Sequence, residues 1–341
     1  MQVATVGIDI AKHVFQLHGV SATGEVLFRK RLRRVDLLPF LQQLEPCLIG
    51  MEACGTSHHW ARELSRLGHT VKLMPPSYVK AYVRRNKNDA ADAEAICEAV
   101  TRPAMRFVPI KNMEQQAVLM MHRIRAVLVR QRTMMANALR GHMAEFGIIA
   151  PQGLKAVRDL GRLIEDPSLA IPDLARATLK ALVAQLGSVE EGIRPIEARI
   201  TAWHRADETS QRLASIPGVG PITASAIAAT VPDPSQFRSG REFAAWLGIV
   251  PRQRASGMKN VLGGISKRGD RYIRRLLISG AVAILRYTRS KPTPERAWMK
   301  ALLQRRPPKV AAVALANKTA RIVWALMKRK EFYQAPSAVS V

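Results

Sequence analysis

A change of hydrophobic period near residue 110 divides this chain in two and limits what each side can fold into. Before it, short β-forming runs alternate with helical stretches. Residues 3–10 are an apolar β-rich run, 14–20 and 25–31 can follow as antiparallel strands across the Ala22-Thr23-Gly24 turn, and 36–44 carry helical spacing. Next come a short buried strand (47–51), a helix (57–67) stopped by Gly68, and a strand (70–74) ended by Pro75-Pro76. Three strands, then helix, strand, helix, strand, helix, is the order of a ribonuclease-H-like α/β domain, so the predicted class is α/β plus α. A fold of this kind does not by itself establish a chemistry.

From about 111 to 205 the pattern is wholly helical. Met120, Ile124, Val127, Met134 and Ala138 give partial helical spacing along an Arg-rich segment. Leu186, Val189, Ile193, Ile196, Ile200 and Trp203 fall in strict three-four steps. Such a seam suits a dimerising coiled coil or a buried amphipathic helix of one chain, and Pro195 inside it predicts a kink or break. Residues 213–231, LASIPGVGPITASAIAATV, read as a helix-hairpin-helix. Its Gly218 and Gly220 would expose backbone N–H groups to a phosphate at the start of the second helix, unless the element is a helix-turn-helix without ligand. The predicted organisation is 1–110 α/β, 111–205 helical and coiled-coil, 206–332 mostly α, and 333–341 a flexible tail.

Charge narrows the partners. The net charge is +27 and the sequence pI about 11.1, the balance of a protein that meets a polyanion. Residues 1–100 carry +3, residues 101–240 +6, and residues 241–341 +18. The last third is therefore the expected electrostatic footprint, and the near-neutral first third can hold a carboxylate cluster. No charged leader precedes an apolar run, no apolar stretch approaches the ~20 residues of a membrane span, and Cys47, Cys54 and Cys97 fit neither a disulfide framework nor a zinc motif. The expectation is a cytoplasmic, nucleoid-associated bacterial protein with no membrane partner.

Four acids stand out. Asp9 follows the first strand and Glu52 the 47–51 strand, so adjacent strands would bring both to one sheet edge. Asp89 and Asp92 are three apart and share a helix face, although Asp89 could equally be a helix cap and Asp92 a first-turn dipole partner. Converging carboxylates require cations, and an oxygen-only ligand set suits Mg²⁺ or Mn²⁺. Two such ions can clamp the attacking and leaving oxygens of a phosphoryl transfer. Further on, Ser256 sits in the Gly- and Arg-rich stretch 252–257, read as a loop in which Gly257 permits close approach of a ligand. Arg252, Arg254, Lys259, Lys267 and Arg268, with Arg271, Arg274 and Arg275 around the exposed side of a following helix, offer a phosphate-binding surface or simply a solvated charged face.

The ordered blocks VGIDIAK, MEACGTSHHW, NKNDAADAEAI, IPGVGPITA, LGIVPRQRASGMKN and GGISKRGDRYIRRLL resemble the IS-one-ten (IS-eleven-eleven) family of insertion-sequence transposases, the DEDD recombinases, over nearly the whole chain. The resemblance implies an N-terminal domain like the Holliday-junction resolvase RuvC, with Asp9, Glu52, Asp89 and Asp92 binding Mg²⁺. It implies that Ser256 attacks the DNA phosphate and forms a covalent 5′-phosphoserine, an ester that lets strands be exchanged and resealed without an external energy source. The implied partners are double-stranded donor and target DNA, a structured non-coding bridge RNA, and further copies of the chain in a dimer or tetramer that assembles active sites between protomers. Two alternatives stand beside this expectation: a RuvC-like Holliday-junction nuclease using metal-activated water, and a non-catalytic nucleic-acid-binding protein.

Overall fold

A computed structural model describes residues 2–83, 88–256, 259–287 and 294–335. The chain divides into two compact units, Met1–Glu114 and Gln115–Val341.

The first unit is built on a five-stranded mixed sheet: β1 (Thr5–Ile10), β2 (Val14–Val20), β3 (Val26–Arg33), β4 (Leu48–Glu52) and β5 (Thr70–Met74), in the order β3-β2-β1-β4-β5. β1 and β3 are antiparallel to β2, while β4 is parallel to both β1 and β5. Alternation along the strands sends Val6, Ile8, Phe15 and Leu17 to one face, where they form a core with Leu37 and Leu41 of α1 (Leu37–Gln42) and Trp60 and Leu64 of α2 (Ser57–Arg66). After β5 the prolines open the short α3 (Pro76–Val79), Pro76 being tolerated at the first helical position because its missing N–H would have no partner there. The opposite face is covered by α4 (Asp89–Val100), whose Ile96, Ala99 and Val100 are buried. The predicted strands and helices are all present. Glu52 is the last residue of β4 rather than the residue after it.

In the second unit α5 (Met113–Glu145), α6 (Leu154–Glu165) and α7 (Asp173–Ala206) form the helical region. α5 and α7 run antiparallel: Arg125 pairs with Glu197 at 2.6 Å, and Gly192 faces Leu128. Leu186, Val189, Ile193 and Ile200 are buried by the chain's own residues. The three-four seam is thus closed within one protomer and is not open to a second copy, because the spacing specifies a partner helix without specifying whose it is. Pro195 lies on the exposed side of an uninterrupted α7.

Then follow α8 (Glu208–Ala214), α9 (Pro221–Thr230), α10 (Gly240–Trp246), the hairpin β6 (Pro251–Ser256) and β7 (Lys259–Ile265), α11 (Arg271–Tyr287), α12 (Pro294–Arg305) and α13 (Pro308–Arg329). The stretch read as a loop around Ser256 is therefore the first strand of a β-hairpin. Its strands are short, and their side chains at 251–253 and 261–264 are exposed, so no apolar alternation announces them. α13 is long and apolar enough by composition to cross a membrane, which the sequence pattern had not suggested. Its Ala312, Ala316, Ala320 and Val323 instead fill the core beside Phe243, Ile273 and Leu277.

Candidate metal centre and serine hairpin

Asp9 stands next to last in β1. The parallel register pairs Ile8 with Met51, which sets Glu52 beside Asp9 at the same edge. Asp89 is the first residue of α4 and Asp92 lies one turn on. Asn88, not Asp89, is the cap: its side chain accepts from the Ala91 N–H at 2.8 Å. The positive end of the helix dipole therefore lies where the two aspartates sit. Ligand oxygens of Asp9, Asp89 and Asp92 all lie within 4.8 Å of one another, with Asp9 and Asp92 half-buried and Asp89 exposed. Glu52 is adjacent by register but is not in that group of three.

What lets the helix bring its aspartates so close is a pair of glycines that the sequence pattern did not single out. Gly7 and Gly50 are partners across β1 and β4. A Cβ on Gly7 would lie 2.2 Å from the Ala93 carbonyl oxygen and 2.5 Å from the Cys97 nitrogen, and one on Gly50 would lie 2.8 Å from Val100 Cβ. The side-chain-free patch seats α4 directly on the strands. The only available signal was a Gly inside each strand run, which marks close backbone approach.

Three carboxylates at this separation repel one another, and a divalent cation relieves the repulsion. The all-oxygen donor set fits a hard ion such as Mg²⁺ or Mn²⁺, and no thiol or imidazole belongs to the group.

In the second unit Ser256 ends β6, paired in register with Lys259, at the far end of the hairpin from its base; Gly257 lies outside the described residues. Arg254 pairs in register with Val261. The base is fixed by backbone bonds from Ser266 to Val250 (2.8 Å) and from Lys267 to Gly248 (3.1 Å). Arg274 belongs to this base. It is buried, and its guanidinium donates to the carbonyls of Leu247 (2.8 Å) and Arg268 (3.3 Å). It is therefore not on the exposed, phosphate-binding side of α11: the helix turns position 274 inward with Ile273, toward those two carbonyls. Arg252, Lys267, Arg268, Arg271 and Arg275 are exposed, Arg275 lying over the Tyr272 ring, and Asp270 caps α11 by accepting from the Ile273 N–H.

Gly218 has φ +79°, and its Cβ would strike Ile284 and the Gly280 carbonyl of α11. Packing thus accounts for a glycine at 218. At Gly220, the carbonyl accepts from the Thr223 and Ala224 N–H groups, so those two amides of the α9 start are already engaged.

A buried polar chain also joins α5, α9 and α11. Ser225 Oγ donates to the Pro221 carbonyl (2.6 Å), so it accepts from His122 Nε2–H (3.1 Å), and His122 Nδ1 in turn accepts from the Tyr272 hydroxyl (3.1 Å). Burial pushes the His122 pKa down to about 4 and keeps the ring neutral.

Two family models match separate parts of the chain. A transposase family of DEDD type matches residues 6–148, and the family described as Transposase IS116/IS110/IS902 matches residues 210–296. The chain is 49% identical over 98% of its length to a protein of Pseudomonas aeruginosa described as a "probable family 20 transposase", covering 99% of it. It is 42% identical to the transposase for insertion sequence element IS1111A of Coxiella burnetii, over 96% of this chain and 90% of that one. The chain belongs to the IS116/IS110/IS902 transposase family. As a member of this insertion-sequence transposase family it is a DNA-processing enzyme. The DEDD-type match spans β1, β4 and α4, the elements that carry all four acids.

Proposed function

We propose that this transposase cuts and rejoins DNA with a two-part site: a RuvC-like carboxylate centre formed by Asp9, Glu52, Asp89 and Asp92, and Ser256 as the nucleophile. The observation that carries the reading is the approach of Asp9, Asp89 and Asp92 within 4.8 Å, on elements brought together by the Gly7–Gly50 patch. These carboxylates would hold Mg²⁺, or Mn²⁺, which when bound polarises a phosphodiester and stabilises the charge that develops on it.

Asp9 and Glu52 project from the rigid sheet, while Asp89 and Asp92 come from the N-terminus of α4, so the metal ligands are set by packing rather than by a loop. Ser256 Oγ attacks phosphorus and loses its proton; the 3′ oxygen departs, and the phosphate stays on the serine as a 5′-phosphoserine. Attack by the freed 3′ hydroxyl of another strand reverses these bond changes, so the energy of the phosphodiester is conserved. Arg252, Arg254, Lys259, Lys267 and Arg268 surround the hairpin in sequence and supply positive charge for the pentavalent phosphate.

The partners follow the charge. Double-stranded donor and target DNA bind the basic second unit, including Arg271 and Arg275, and a structured bridge RNA supplies sequence choice by base pairing in the bacterial cytoplasm. Self-association is assigned to α5. Its Met113, Met120, Ile124, Val127 and Met134 are exposed, with Met113, Met120, Val127 and Met134 at seven-residue intervals, on the side away from its buried Val118, His122, Ala136 and Leu139.

Mn²⁺ titration followed by electron paramagnetic resonance tests the carboxylate centre. Wild type should bind Mn²⁺ and lose it to a chelator, and Asp92→Asn should weaken binding at least tenfold. Equal binding by both would refute the assignment.

A further inference from the structure

The charge tally puts the nucleic-acid footprint in the last third of the chain, yet the first unit carries its own concentrated basic feature. β3 is the edge strand of the sheet, with the sequence VLFRKRLR and no acidic residue. Arg29, Lys30, Arg31 and Arg33 are all exposed.

The register shows where the arginines point. Gly7 pairs with His18 and His18 with Arg29; Asp9 pairs with Gln16 and Gln16 with Arg31; Val14 pairs with Arg33. Residues directly opposite one another in antiparallel strands share a face. Gly7 faces α4, so His18, Arg29, Asp9, Gln16, Arg31 and Arg33 share the α4 face. Glu94 of α4 confirms it independently, lying 3.8 Å from Arg29. Arg33 is held by Asp36 at 2.8 Å, whereas Arg31 makes no ion pair among the described residues.

Asp9, Gln16 and Arg31 thus form one row across three strands, running from the carboxylate centre to the open edge. Two inter-strand spacings put Arg31 about 10 Å from Asp9, a distance of about three base-pair steps measured along a duplex axis at ~3.4 Å each. Half-buried Gln16 lies between them and can both donate to and accept from a phosphate or sugar.

We infer that Gln16, Arg29 and Arg31 form a track for the backbone of the DNA strand being cut, holding phosphates next to the one that reaches the carboxylates. This rests on reading those carboxylates as the cutting site. The chemistry favours a polyanion: beyond Asp9 the row continues with polar Gln16 and cationic Arg31, it lies on the same face as the metal ligands, and Arg31, unlike Arg29 beside Glu94, makes no ion pair among the described residues. Basic residues also protect an edge strand from pairing with another chain, but protection alone requires neither their placement on the α4 face nor their alignment with Asp9.

Salt dependence provides the test, because each phosphate contact contributes about 0.9 to the slope of log K against log salt on duplex DNA. Binding of the full-length protein to a duplex carrying its element end is measured between 50 and 300 mM salt in an Asp9→Asn background, so that no strand is cut. Arg31→Gln should lower the slope by about one and Arg29→Gln with Arg31→Gln by about two, with melting temperature unchanged and Arg31→Lys largely restoring the slope. Arg66→Gln, on α2 against the other sheet face, should leave it unchanged. Unaltered DNA slopes in the arginine variants would overturn the track, as would a loss confined to structured RNA or a change equally large for Arg66→Gln. Failure of the cutting-site reading would show separately, as cleavage retained by Asp9→Asn alone.

Discussion

Replacing Gly7 by alanine adds one methyl group and is expected to disable the metal centre without touching a ligand. The new Cβ would lie 2.2 Å from the Ala93 carbonyl oxygen, 2.5 Å from the Cys97 nitrogen and 2.7 Å from Cys97 Cβ, where ordinary contact begins near 3.4 Å. Backbone atoms of a helix cannot rotate away as a side-chain tip can, so α4 must lift by about 1 Å. Overpacking of this kind costs roughly 1–3 kcal/mol. The lift also carries Asp89 and Asp92 away from Asp9, and a misplacement of about 1 Å at a reacting centre costs on the order of 10²-fold in rate. Gly50→Ala supplies the contrast. Its clash is with Val100, at the far end of α4 and about 12 Å along the helix from Asp92, so comparable destabilisation should accompany a much smaller loss of activity. Thermal melting, Mn²⁺ affinity and strand cleavage measured on both variants separate the two effects. Wild-type Mn²⁺ affinity and cleavage in Gly7→Ala would refute the claim that the glycine patch sets the ligand geometry.

Acid should loosen the second unit through His122. Its folded pKa is near 4 against an unfolded value of about 6.5, so between those values the unfolded chain binds the extra proton. The stability attributable to the neutral ring is therefore complete above about pH 6.5 and lost as pH falls toward 4, by about 3 kcal/mol in all. Denaturant midpoints from pH 7 to 4 should fall in wild type and fall less in His122→Gln; parallel curves would contradict this. At the α5 seam, Met120→Glu with Ile124→Glu puts two charges into the proposed interface and should shift the protein to monomers in analytical ultracentrifugation, an unchanged distribution ruling the seam out.

The first unit was legible because its strands obey a simple period and its turns are marked by Gly and Pro: the succession of strands and helices follows from that pattern, whereas the grouping of the four acids was implied by the family resemblance, and the strand order and the adjacency of β1 and β4 are read from the fold. Four other things were not legible. The three-four steps from Leu186 to Trp203 describe a helix that needs a partner, but only the fold shows that its partners lie in the same chain, Leu186 sharing a core with Ala136, Leu139 and Met143 of α5. Arg274 is the same residue type on the same helix as Arg271 and Arg275; its burial depends on where helix phase meets the Leu247 and Arg268 carbonyls. The Ser256 strand is basic and carries no apolar alternation in its sequence, and its pairing becomes visible only with β7 in place. Gly7 and Gly50 contribute by what they lack, and one sequence cannot show which helix needs the space.

The central claim, serine attack prepared by a carboxylate-bound metal, is tested most directly by trapping the protein on DNA. Full-length protein, a labelled duplex carrying the element end, and Mg²⁺ are mixed, denatured and resolved by size. A covalent adduct that releases a 5′-phosphoserine peptide is expected with wild type and absent with Ser256→Ala, with Asp9→Asn, or with chelator. Cleaved DNA without any adduct would point instead to hydrolysis by water, and an adduct formed by Ser256→Ala would contradict the account outright.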